Sequence, residues 1–140
     1  MFSQPSPYAP HVLGVTRIMV GLLFLAHGNG KLLGFPAMPS VPPLTSMSGI
    51  AGFFELIGGT LIVLGLFTRP VGFILSGVMA VAYFYAHAPR SFYPLLNGGD
   101  AAILYCFIFL YFAAAGGGAF SLDRLFGRSS ASSSSRTQAA

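Results

Sequence analysis

Charge is what this sequence lacks most. Of its 140 residues only 7% are Asp, Glu, Lys or Arg, and only three are acidic. A soluble domain carries about 25% charged residues. So thin an ionic surface cannot keep a chain that is 54% apolar in water, and the solvent that suits it is a bilayer. Cysteine is almost missing too: Cys106 stands alone, which excludes an internal disulfide and any Cys-x-x-Cys dithiol centre. Its plain reading is a small apolar residue inside a helix. The histidines and acids are scattered, with no metal-ligand spacing. Basic runs are absent as well. The net charge of +4 is dispersed along the chain, which argues against nucleic acid as a partner. No Lys or Arg precedes Arg17, so residues 1–10, with three prolines, lack the basic segment of a cleavable signal peptide. The first apolar run is therefore expected to be a retained spanning helix.

What is present is four long apolar stretches, at 11–33, 48–67, 70–88 and 100–120. Each is close to the ~20 residues that carry a helix across a ~30 Å hydrocarbon core, and helices are preferred because lipid offers no partner to an open backbone. The expected fold is all-α: a four-transmembrane-helix bundle, up-down-up-down, occupying residues 1–126. The connections differ. Residues 34–47 form a loop broken by Pro36, Pro39, Pro42 and Pro43. Thr68-Arg69-Pro70 is a tight turn, and Asn97-Gly98-Gly99-Asp100 is a turn signal with Asp100 placed to cap the fourth helix. Ser121 and Asp123 are placed to cap a short interfacial helix, and the serine-rich segment 127–140 has nothing to bury and reads as disordered. Arg69, Arg124, Arg128 and Arg136 gather at one end with Arg17 leaning towards it, against Lys31 and Arg90 at the other. By the positive-inside rule both termini are cytoplasmic.

Ionisable groups inside a membrane are costly, so each needs a partner or a task. Counting ~1.5 Å per residue from the helix ends puts His27, Lys31, Glu55, His87 and Asp100 in the outer half, with Arg17 entering from the inner side. Glu55 lies in Gly49-x-x-Gly52-x-x-Glu55-x-x-Gly58-Gly59, so small residues share its face and turn it into the bundle. Its expected partner is His27, at similar depth, or Arg17 reaching up by about two turns. The candidate proton-handling pair is Glu55 and His27. Arg17, Lys31, Tyr83, His87 and Asp100 are candidates for a quinone-like pocket or a buried polar network. Each has a plainer reading beside it: snorkelling for Lys31, an interhelical hydrogen bond for His27, an interfacial aromatic belt for Tyr83, Phe84, Tyr85, Phe92 and Tyr93, and a helix cap for Asp100. A haem held between His27 and His87 is disfavoured, since no other cofactor signal accompanies the pair.

Several segments together resemble the DoxX family of small bacterial membrane proteins. They are Ala26-His27-Gly28-x-x-Lys31-Leu32, Glu55-x-x-Gly58-Gly59, Leu64-Gly65-Leu66-x-Thr68-Arg69, Asn97-Gly98-Gly99-Asp100-Ala101-Ala102 and Gly116-Gly117-Gly118-x-x-Ser121-Leu122-Asp123, together with Arg17. The resemblance covers residues 13–126. It implies a four-helix bundle in the bacterial inner membrane and an association with redox chemistry, as a subunit of a quinone-linked oxidoreductase or a partner of superoxide-detoxifying or thiol-handling enzymes. Two positions depart from the pattern: Asp100 stands where Glu is usual, and Gly117 where a Gly-Pro-Gly segment has its proline.

The leading expectation is a membrane subunit of a redox system that holds a quinone-like molecule in the outer half. No residue of the chain carries electrons, so the electrons come from a partner enzyme or cofactor. The alternative is a non-catalytic scaffold or assembly helper in which the polar residues serve packing. A transporter fits less well, because four short spans leave little room for a solvated path unless the chain forms a homo-oligomer.

Overall fold

The computed structural model describes residues 6–127, and these form helices and loops without a strand. Helix α1, Ala9–Leu33, starts with Pro10 in its first turn, where a missing N–H costs nothing, and stops at Gly34 in the left-handed region (φ 67°). The serine-rich tail, Arg128 and Arg136 lie outside the described residues.

Helix α2, Met47–Leu64, is capped by Ser46, whose Oγ accepts the Gly49 N–H at 3.1 Å. It ends three residues before its apolar run does. Gly65 turns left-handed (φ 66°), its N–H donates to the Ile62 carbonyl at 3.1 Å, and the Leu66 N–H donates to the Leu61 carbonyl at 3.0 Å. Leu66 and Phe67 belong to the turn.

Helix α3, Thr68–Ala82, continues into a π-helical turn, Tyr83–His87, and a 3₁₀ turn, Ala88–Arg90. Pro89 explains the change: it has no N–H to offer, and in a regular helix its ring would meet the carbonyl four residues back. A single turn, α4 (Pro94–Asn97), precedes α5, Asp100–Ala115. Residues 116–118, all glycine, end α5 five residues before the expected boundary, and a short helix follows at 122–127.

Among the described residues three helical stretches are long and apolar enough to cross a membrane: Ala9–Leu33, Met47–Leu64 and Thr68–Arg90. Helix α5 is apolar but shorter, at 16 residues. Large apolar side chains cover the outside, among them Phe73, Leu104 and Phe107, each about two-thirds exposed. A water-soluble monomer does not present such a surface.

The helices pack through glycine. A methyl added at Gly59 would lie 2.9 Å from the Leu25 nitrogen, and one at Gly28 would lie 2.9 Å from backbone atoms of Glu55 and Leu56. Gly52 faces Lys31 and Leu32, and Gly21 faces Val63. These pairs progress steadily in opposite directions along the two chains, which defines one antiparallel register for α1 on α2. Gly72 makes the same approach to the Phe109 carbonyl, joining α3 to α5. Between the pairs lies a core of Phe24, Ile62, Leu75, Met79, Phe109 and Phe112, with the Phe24 and Phe109 rings edge to face at 4.8 Å.

Arg17 ties the far end. It is fully buried and spends its guanidinium on backbone carbonyls: Nε donates to Gly117 at 2.8 Å, Nη1 to Ile62 and to Val63 (2.6 Å), and Nη2 to Phe120 at 2.9 Å and more weakly to Ala119 at 3.5 Å. Ile62 and Val63 belong to the last turn of α2, whose carbonyls lack the regular partner four residues on. Gly117, Ala119 and Phe120 lie in the glycine loop after α5.

Gly28→Ala should destabilise the purified protein by roughly 1–3 kcal/mol, because the obstructing atoms are backbone and cannot swing away. Gly77→Ala, with nothing within 4 Å of the added methyl, should be neutral or stabilising by up to about 1 kcal/mol. Equal melting temperatures in detergent for these two variants would contradict the packing. Arg17→Lys should lower stability by on the order of 3 kcal/mol, since one ammonium cannot serve carbonyls spread around several edges of the planar guanidinium. Chemical unfolding in mixed micelles measures this loss.

Candidate functional site

Glu55 sits in the third turn of α2, among Gly52, Gly58 and Gly59, and is 3% exposed. One of its oxygens, Oε1, accepts from the Lys31 ammonium at 2.6 Å. This is the one ion pair among the described residues. It corrects the expected pairing: Glu55 meets neither His27 nor Arg17. Arg17 is 14 positions from Lys31 along α1, about 21 Å at ~1.5 Å per residue, and is fully engaged at the other end. The second carboxylate oxygen of Glu55, Oε2, is buried and has no hydrogen-bond partner. A carboxylate has about four acceptor positions, so this one is only partly satisfied, and such a group inside a protein is expensive unless something completes it.

The space around it is a cavity of about 270 Å³ lined by His27, Lys31, Glu55, His87 and Tyr105, with Phe24, Met79 and Ala102 as apolar wall. Four of the seven candidate residues therefore share one cavity. His27 comes from α1, one turn before Lys31, and its Nδ1 lies 2.9 Å from the Leu23 carbonyl. His87 comes from the π-turn, and its Nδ1 lies 3.0 Å from the Asn97 carbonyl. A carbonyl only accepts, so in each neutral ring the proton is on Nδ1 and Nε2 is the basic nitrogen. Widened turns of this kind often occur at functional sites, and in this chain the turn supplies a histidine.

A second cavity adjoins the first. It measures about 540 Å³ and runs between α2 and the end of α3, lined by Ile50, Ala51, Phe54, Val78, Val81 and Tyr85. Lys31, Ala82 and His87 border both cavities. The arrangement is thus a long apolar groove that meets a small polar chamber across Lys31 and His87.

The other three candidates lie elsewhere. Tyr83 stacks on the His87 ring at 6.4 Å and 19° and takes a 3.4 Å contact from the Asn97 side-chain amide, so it supports His87. Asp100 is exposed and borders neither cavity. It is also not the cap: Gly99 holds that position without a side-chain bond, and Asp100 is the first residue of α5, where its charge suits the helix dipole. Arg17 serves the opposite end.

Two contributors were not foreseen from sequence. Tyr105 lies in the middle of an aromatic run that looks uniform, and its ring meets those of His27 at 6.1 Å and Phe24 at 5.2 Å. Asn97, 2% exposed, donates to the Ser91 carbonyl at 2.9 Å and accepts the Gly99 N–H at 2.7 Å. Its Asn-Gly-Gly context signals a turn but not the grip on His87. No group of three or more His, Cys, Asp or Glu is placed to hold a metal among the described residues.

The pattern that defines the DoxX family matches residues 12–88, which include most of α1, all of α2 and α3, and all four cavity residues foreseen from sequence. An uncharacterized protein of Haemophilus influenzae is 42% identical over 130 residues, covering 85% of this chain and 93% of its own length. No solved structure matches. The chain is a membrane protein and belongs to the DoxX family.

Proposed function

We propose that the protein spans the bacterial inner membrane four times and binds a quinone-like carbonyl compound at the Lys31–Glu55 site, as the membrane partner of an oxidoreductase. The observation that carries this reading is the half-satisfied Glu55 carboxylate in the wall of a polar chamber, paired with Lys31, which borders both that chamber and an apolar groove. A lipid-soluble tail suits the groove. At the junction Lys31 is a donor for a carbonyl oxygen, while Glu55 and the Nε2 nitrogens of His27 and His87 are the groups able to exchange protons. Reduction of a quinone to a quinol takes two electrons and two protons. The chain supplies proton carriers only, so the electrons come from the partner's cofactor.

In this reading α5 is the fourth crossing. Its 16 residues span about 24 Å at ~1.5 Å per residue, and residues 116–120 or a locally thinner bilayer make up the difference. Arg69 and Arg124 then mark the cytoplasmic face.

The second reading is a non-catalytic scaffold or assembly helper. It is favoured by the Lys31–Glu55 pair itself, which also links α1 to α2. The two readings separate on Glu55→Gln. For a ligand site, purified Glu55→Gln and His27→Ala should remain folded and bind a short-chain quinone at least about tenfold more weakly than wild type, the scale of one lost charge-assisted hydrogen bond. Equal binding in all three proteins, or none in wild type, sinks the pocket. Loss of thermal stability in step with loss of function favours the scaffold.

Topology is tested by membrane-impermeant maleimide on intact spheroplasts. Ser91→Cys should label from outside, and Ser6→Cys only after lysis. Labelling of both from one side would exclude an odd number of crossings between them, and with it the alternating path of α1, α2 and α3.

A further inference from the structure

A third cavity lies at the opposite end of the molecule, and the Glu55 site does not involve it. It measures about 430 Å³ and sits between the turn that opens α3 and the glycine loop after α5. Arg69 and Arg124 both line it, and neither has a carboxylate partner among the described residues, where the one ion pair is Lys31–Glu55. Among the described residues one acid, Asp123, also lines the cavity. Its carboxylate is occupied: Oδ1 accepts the Phe67 N–H at 2.7 Å and Oδ2 the Thr68 N–H at 2.8 Å. That grip holds Phe67 in the left-handed region (φ 51°), an unfavourable place for a residue with a side chain. Arg17 is likewise spent on carbonyls.

Thr68 supplies the independent sign of a ligand. It is fully buried, lines this cavity, and its Oγ1 has no hydrogen-bond partner. Residue 117 packs against that hydroxyl and is glycine: a methyl there would lie 2.9 Å from Thr68 Oγ1 and 3.1 Å from Ser121 Oγ. Two guanidiniums without a carboxylate partner and an unpaired buried hydroxyl favour one chemistry, an oxyanion with several acceptor oxygens. We propose that this cavity binds a phosphate group, with Arg69 and Arg124 pairing to its charge and Thr68 donating to one of its oxygens. The phosphate belongs either to a lipid headgroup or to a soluble anion, and the two sources can be told apart.

Full-length protein in non-ionic detergent would be titrated with phosphatidylglycerol in one arm and inorganic phosphate in the other, with thermal shift as the readout. Saturable stabilisation is expected in at least one arm. A response to the lipid alone assigns a headgroup site, and a response to phosphate alone a soluble anion. Arg69→Gln and Arg124→Gln should each weaken binding by roughly fivefold, the worth of one basic residue at an anionic surface. Thr68→Val should also weaken binding, yet melt at or above the wild-type temperature without ligand, because it removes an unpaired buried hydroxyl. No saturable response in either arm, or the same affinity in wild type and all three variants, overturns the proposal.

Discussion

Backbone carbonyls left over where a helix stops cannot be left bare in a bilayer, because no water reaches them. In this protein one side chain answers that demand at two places. Arg17 projects from the third turn of α1 to the last turn of α2 on one side and to the glycine loop after α5 on the other. Its planar fork suits carbonyls arriving from both sides, and its charge makes each bond stronger than a neutral one. The early stops of α2 at Gly65 and of α5 at Gly116 are thus parts of one arrangement. Gly65 must also be small, since a methyl there would lie 2.8 Å from the Arg17 guanidinium carbon.

With α1 fixed against the end of α2, glycine carries the contact along the pair. Gly21, Gly59, Gly28 and Gly52 bring the two backbones close and allow one register. That register sets Lys31 beside Gly52, one turn from Glu55. The ion pair at one end is therefore a consequence of the carbonyl clamp at the other, transmitted through a rigid, close-packed interface. Counting depth from helix ends pairs Glu55 with His27 instead, because it assumes that helices begin flush. They do not: α2 starts about a turn beyond the end of α1, so Glu55 is level with the reach of a lysine near the α1 terminus.

Much of the fold is legible in sequence because apolar runs of this length have few alternatives, and because Gly34 and Pro89 interrupt them openly. Helix ends are harder where a glycine sits inside an apolar run, as Gly65 does before Leu66 and Phe67. Long-range partners are harder still. Asp123 reads as a cap for its own helix from local spacing, and Ser121 does take that role towards the Arg124 N–H at 3.3 Å. The Asp123 carboxylate instead closes the start of α3, more than fifty residues earlier. At the candidate site, the gathering of His27, Lys31, Glu55 and His87 follows from counting turns. The roles of Tyr105 and Asn97 do not, because one is an aromatic among aromatics and the other acts largely through its backbone carbonyl.

Saturation separates the two kinds of buried polar residue in this protein. Arg17 has every donor direction met by a carbonyl, which is the signature of a group whose work is to hold structure. Glu55 has one oxygen paired and one bare, beside two histidines whose Nδ1 atoms are committed and whose Nε2 atoms are not. If the pair with Lys31 served only to join α1 to α2, the glycine contact that already joins them would make it redundant, and an apolar pair of similar volume would do as well or better in a low-dielectric setting. Retaining an acid with a buried, unpartnered oxygen in the wall of the polar chamber is a stability cost in the unliganded protein. A ligand that donates to Glu55, or a proton carried on it, would remove that cost, which is the thermodynamic ground for reading Glu55 as a binding group and Arg17 as a structural one.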